Sequence, residues 1–203
     1  CPAKLLRAAY GTQIESFVYL AVWFGLRKSE ILGLRWENVD FLGRCLYIRE
    51  TRTRIKDYKS GHWVESQNKR MKTVKSRREF PLSDEQLDYL LKLYGRQAPL
   101  CKTRNYVCVN AEGMPLHYDY VLHAFQDLLR KNDLPKIRIH DLRHSNATLM
   151  LNSGFSMKEV SEWLGHSTYK LTADTYTHVS AENKAQMSKT IGYKLSPYKG
   201  DNL

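Results

Sequence analysis

The sequence predicts a mostly α-helical α+β fold with a small three-stranded antiparallel sheet. Apolar residues recur at helical spacing near both ends of the chain, and a stretch between them alternates with period two. At 203 residues and 42% hydrophobic composition the chain can bury one sizeable core, so one main domain is expected. It is read as residues 13–180. Residues 1–12 read as a linker remnant, because the chain opens without Met, and residues 181–203 as a tail.

Ile14, Phe17, Val18, Ala21 and Phe24 form one stripe, which predicts a core helix over residues 13–24 stopped by Gly25. A second helix begins after Lys28, with Ile31, Leu32 and Leu34 inward and Trp36 near its end. Residues 46–50, 63–65 and 78–82 alternate and predict three short antiparallel strands. Ser83-Asp-Glu-Gln86 is a capping box that opens a helix through Tyr94, with Leu87, Leu90, Leu91 and Tyr94 at core spacing. Tyr106 to Val109 reads as a short strand and residues 110–115 as a turn. Val121, Phe125, Leu128 and Leu129 predict a helix over residues 118–131. Another helix starts near Asp141 and stops at Gly154. Ser156-Met-Lys-Glu159 then caps a helix whose Met157, Val160, Trp163 and Leu164 face inward. The tail offers only Met187, Ile191 and Leu195, a stripe too thin to hold strongly to its own core.

Thirty-two Lys and Arg against 21 Asp and Glu give a net charge of +11, which points to a polyanionic partner more than to any fold. The basic residues cluster: ten lie between Arg52 and Arg78, against Asp57 and Glu65. Such a run is usually a solvated face, but this one joins strands in a compact domain and reads as a hairpin lying along double-stranded DNA. Cys1, Cys45, Cys101 and Cys108 form no Cys-x-x-Cys pair and read as reduced thiols of a cytoplasmic protein. No apolar run reaches the roughly 18 residues of a membrane span, and no signal peptide is visible.

The chemistry concentrates between Arg138 and Val179. His140 and Arg143 stand at i and i+3, on one side of a helical first turn, where free N–H groups and the helix dipole already favour an anion. Arg143 offers a planar fork to two phosphate oxygens, which Lys does not. Phosphoryl transfer also asks for an in-line nucleophile and a proton for the leaving oxygen. A second arginine, Arg27, lies at a helix junction, and lysines lie in the basic hairpin.

In order, Gly-Leu-Arg-Lys-Ser-Glu at 25–30, Lys-Thr at 72–73 before a strand ending Phe-Pro-Leu at 80–82, His-Asp-Leu-Arg-His at 140–144, Leu-Gly-His at 164–166 and Tyr176 resemble the motifs of the tyrosine recombinases, or phage-type integrases. The resemblance spans nearly the whole chain. Its ten-residue step from His166 to Tyr176 and its Arg-Arg-Glu-Phe-Pro-Leu strand are similar to integrases of conjugative transposons and Gram-positive phages.

The resemblance implies the tyrosine recombinase catalytic fold and a division of roles. Tyr176 is the nucleophile; Arg27, His140, Arg143 and His166 hold the transferring phosphate; Lys72 protonates the leaving 5′ oxygen; Glu30 braces the arginines. His140 also receives the tyrosine proton. Lys69, Arg70, Lys75, Arg77 and Arg78 are expected to contact the DNA backbone. The implied partners are double-stranded DNA, further copies of the chain on DNA, as a tetramer in the synaptic complex, and an excisionase or host DNA-bending protein. The tail is expected to dock on a neighbouring protomer, and no cofactor is expected.

Rival readings exist for the same residues. His140 and His144, with His166, have metal-ligand spacing, but Asp141 is not at the Glu position of His-Glu-x-x-His and Arg143 would set a cation beside the metal, so no metal is expected. Without its motif Arg27 would cap the preceding helix, and Tyr176, one of 13 tyrosines, would be an ordinary packed tyrosine. Tyr169 is the second candidate nucleophile. His117 and His123 belong to no motif. A nicking-resealing enzyme like a type IB topoisomerase, or a DNA-binding module without catalysis, are the alternative functions.

Overall fold

The computed structural model describes residues 2–57, 62–68, 78–97, 99, 105–165 and 181–195. Its axis is α2 (Glu15–Phe24), every residue of which is buried. The predicted stripe is present, but the opposite face is covered too, because α1 (Pro2–Ala9), α3 (Lys28–Gly33), α6 (Ile139–Asn152) and α8 (Ala181–Leu195) all pack around it. Tyr19 stacks on Tyr89 with ring centroids 4.1 Å apart and meets Trp23 edge-on. The buried Glu15 carboxylate is matched by Arg96 at 2.8 Å. Gly25 ends the helix in the left-handed region at φ +62°, its N–H donating to the Ala21 carbonyl.

Both chain ends correct the sequence reading. The segment expected to be a linker remnant is α1, which buries Leu5, Leu6 and Ala9 in the main core. Two helical turns were too short for their periodicity to stand out. In the tail, α8 sets Met187, Ile191 and Leu195 into the protein's own core, against α2, α4 (Asp84–Gln97) and β5 (Arg78–Pro81). Ser188 adds a hydrogen bond of 2.6 Å to Gln86 Oε1. A thin stripe suffices because all three residues are buried, at 0–4% exposure, in the main core.

The antiparallel sheet has three strands in the order β1 (Val39–Asp40), β2 (Cys45–Ile48) and β5, with Leu46 opposite Phe80. Its membership differs from expectation: residues 63–65 belong to β4 (Trp63–Asn68), which pairs with β3 (Thr51–Lys56) as a separate hairpin. A two-residue strand such as β1 shows no alternation to detect. The hairpin leans on the start of α5 (Tyr118–Lys131), through Arg54 on Asp119 and Arg52 on the Leu116 carbonyl.

The capping box before α4 forms as read, Ser83 N–H donating to Gln86 Oε1 at 3.0 Å and Gln86 N–H to Ser83 Oγ at 3.3 Å. The inward stripe of α4 is Gln86, Tyr89, Leu90 and Leu93, whereas Leu91 and Tyr94 face outward, since stacking on Tyr19 turns the helix toward Tyr89. Residues 106–109 are buried and joined to Arg35 and Pro115 by isolated bridges, not by a strand. α5 matches its predicted span. α7 (Met157–Leu164) has its Ser156–Glu159 capping box and buries Val160, Trp163 and Leu164, while Met157, first in the helix, is half exposed. Among the described residues no helix is long and apolar enough to cross a membrane.

Candidate active site

Three segments meet beside the C-terminal end of α7: the α2–α3 junction, the first turns of α6 and strand β5. Gly25 turns the chain out of α2 and Leu26 is buried, which leaves Arg27 at the N-cap of α3 with a half-exposed side chain. Its N–H donates to Glu30 Oε2 at 2.8 Å and its Nη1 to Glu30 Oε1 at 2.9 Å, while Nη2 donates to the Gly165 carbonyl at 2.7 Å. Arg27 is therefore fixed on one edge and open on another.

Glu30 is 2% exposed. Burial alone would raise its pKa, but the Arg78 charge, followed by the Arg27 N–H and guanidinium, outweighs burial and holds the carboxyl below its ordinary range. The brace read from sequence is thus an ionised carboxylate shared by two arginines.

α6 begins at Ile139, two residues earlier than expected, because Asp141 caps the Arg138 N–H at 2.8 Å. His140 is exposed on the first turn, and Arg143, one turn on, is 2% exposed. Arg143 Nη1 donates to the Gly25 carbonyl at 2.6 Å and Nη2 to the Leu164 carbonyl. Burial first, then the charges of Arg27 and Arg78, lower its pKa to about 9 against a smaller opposing pull from Glu30. Such a desolvated guanidinium gains more from an arriving anion than one in water does. Asn146 steadies the same corner from below, donating to the Val22 and Trp23 carbonyls at 2.8 and 3.1 Å.

The His140 ring meets that of His144 edge-on at 4.7 Å. Burial, then His144, Arg143 and Arg138, lower the His140 pKa below the ordinary imidazole value, so it is neutral at pH 7 and able to accept a proton. In a histidine NMR titration of the free protein, the His140 midpoint should lie below about 6.5 and rise in His144→Ala. A midpoint that stays or falls in that variant would show that the ring pair does not set it. Among the described residues no three His, Cys, Asp or Glu side chains gather as a metal site.

The structure thus brings together Arg27, Glu30, His140 and Arg143. Lys72, His166, Tyr176, Lys69, Arg70, Lys75 and Arg77 lie outside the described residues. Arg78 corrects its reading as a DNA contact: it is 8% exposed, ion-paired with Glu30 at 2.6 Å, and donates to the Trp163 carbonyl at 3.1 Å and to that of Leu164. Strand parity carried the signal, since Arg78 shares a face with the buried Phe80. Asn146 had no signal of its own in the sequence.

This arrangement of helices around a small antiparallel sheet is that of tyrosine recombinase catalytic domains. It superposes on the Tn1549 transposon integrase in complex with transposon right end DNA with a TM-score of 0.68 and 21% identity, covering 91% of this chain and 62% of that one. The sequence model of the phage integrase family matches residues 4–183, and the chain belongs to that family. Curated relatives include a tyrosine recombinase XerC-like protein of Caldanaerobacter subterraneus subsp. tengcongensis, 28% identical over 200 residues, and the ICEBs1 integrase of Bacillus subtilis, 25% identical over 185 residues. These alignments cover 93% and 87% of this chain but 51% and 48% of the relatives, so the chain spans about half their length.

Proposed function

We propose that the chain is the catalytic part of a site-specific DNA recombinase that integrates and excises a mobile element. The observation that supports this best is the convergence of Arg27 and Arg143 on adjacent carbonyls of one helix end, with Glu30 paired to Arg27 and the neutral His140 exposed one turn before Arg143. In this reading Tyr176 Oη attacks a DNA phosphorus, the bond from phosphorus to the 5′ oxygen breaks, and a 3′-phosphotyrosyl ester forms. His140 takes the tyrosine proton and Lys72 supplies one to the leaving 5′ oxygen. Arg27 and Arg143, with His166, carry the charge on the non-bridging oxygens. Fixed charges of this kind must lower the barrier by on the order of 20 kcal/mol, which no single arginine does. The ester keeps the bond energy for rejoining, so neither nucleotide nor metal has a role. The substrate is DNA in the bacterial cytoplasm, where copies of the chain assemble as a tetramer, with an excisionase or a host DNA-bending protein as partner.

A nicked suicide duplex carrying the element's end tests the reading, with a protein–DNA adduct that survives denaturation as the readout. The adduct should vanish in Tyr176→Phe and persist in Tyr169→Phe. An adduct retained in Tyr176→Phe would overturn the assignment of the nucleophile. Binding without any adduct in the full chain would favour a DNA-binding module, and relaxation of an arbitrary plasmid would favour a topoisomerase-like enzyme.

A further inference from the structure

Strand β5 presents two residues to the last turn of α7. Phe80 packs edge-on against Trp163, ring centroids 4.7 Å apart, which sets the distance between strand and helix. Two residues earlier, on the same face, Arg78 reaches the helix end itself. Nη1 donates to the Trp163 carbonyl at 3.1 Å and to the Leu164 carbonyl, and Nη2 forms the 2.6 Å ion pair with Glu30. A Cβ added to Gly165 would stand 2.7 Å from Arg78 Cδ and 2.8 Å from Nε, so the side chain lies against the glycine that closes α7.

The carbonyls held by Arg78 belong to the same turn that Arg143 grips at Leu164 and Arg27 at Gly165. Glu30, its other partner, is the carboxylate that orients Arg27. Arg78 is thereby attached to the carbonyl that Arg143 grips, one residue before the one that Arg27 grips, and to the carboxylate that orients Arg27. Its side chain is 6% exposed, with Nη1 on the two carbonyls and Nη2 on Glu30. A lysine could not replace it, because one ammonium on a flexible stem does not span two carbonyls and a carboxylate as a planar fork does.

We propose that Arg78 is a positioning residue, locking the C-terminal carbonyls of α7 to Glu30 and so fixing where Arg27 and Arg143 present their charge. The catalytic consequence rests on the recombination reading above; the anchoring does not. Displacements of about 1 Å in such a constellation cost on the order of 100-fold in rate.

The test is made in the full chain with Arg78→Lys and Arg78→Met, following single-turnover adduct formation on saturating suicide duplex, DNA affinity across salt concentrations, and amide hydrogen exchange at Leu164 and Gly165. Arg78→Lys should fold, exchange faster at both amides, and form adduct about 100-fold more slowly with affinity and salt slope unchanged. In a Glu30→Gln background the same change should slow the reaction by far less, because the two residues act through one contact. Weaker binding with a salt slope reduced by about one, and a normal rate at saturation, would instead make Arg78 a phosphate contact. A normal rate per folded molecule, or a loss that multiplies independently of Glu30→Gln, would make it a structural ion pair only; either result overturns the proposal. If Arg78→Met does not fold, Arg78→Lys still decides. If the wild-type chain forms no adduct, the recombination reading fails, while the exchange measurement still accepts or rejects the anchoring.

Discussion

Glu30→Gln is expected to lower stability by about 3–5 kcal/mol, the usual cost of removing one partner from a buried ion pair. Glu30 is 2% exposed and serves Arg27 and Arg78 at 2.9 and 2.6 Å, so an uncharged amide leaves the buried Arg78 guanidinium without its counter-charge beside the half-exposed one of Arg27. Urea unfolding should show a lower midpoint with an unchanged slope. The effect has a pH signature. Because the folded-state pKa of Glu30 is depressed, its contribution is fully present above the unfolded carboxylate value, about 4.3, and is lost as pH falls through the lower folded value. The gap between wild type and variant should therefore narrow on acidification. A gap independent of pH would mean that the carboxylate charge is not what stabilises the site.

Gly25→Ala should be nearly as damaging, at about 2–5 kcal/mol, the sum of a left-handed backbone for a residue with a Cβ and of overpacking. Gly25 sits at φ +62°, and an added Cβ would stand 2.6 Å from Leu164 Cδ2 and 3.0 Å from Asn146 Oδ1. Its carbonyl is also an acceptor for Arg143, so the shift needed to relieve the clash moves that arginine. Gly25→Asn separates the two causes, since Asn tolerates the left-handed region but carries the same Cβ. Recovery by Asn to near wild-type stability would show that space at Leu164 and Asn146 is not limiting.

Long amphipathic helices were legible in the sequence because several turns of periodicity accumulate: α5 appears where Val121, Phe125, Leu128 and Leu129 place it. α1 was not, with a face of only Leu5, Leu6 and Ala9. In α4 the pattern allowed two overlapping stripes, and the contact that chose between them, Tyr19 on Tyr89, joins residues 70 apart in the chain. At the site, Arg27, Glu30, His140 and Arg143 could be read from motifs because each is fixed by local helix boundaries. Arg78 reads as a DNA contact because it stands in a run of basic residues set along DNA, although its parity with Phe80 points inward. Charge outweighed alternation in that reading, and the fold obeys alternation.

The three guanidinium groups of Arg27, Arg78 and Arg143 stand against one carboxylate of Glu30, two of them buried. Apolar residues of similar size at Arg78 and Arg143 would pack there at lower cost, as replacement of buried charges often shows. Selection for thermal stability alone would erode this corner first. Under the proposed function, robustness is conceded locally for charge held ready to meet an anion. Stabilising designs for this protein belong elsewhere, on the exposed sides of α4 and α5, where changes leave that concession untouched.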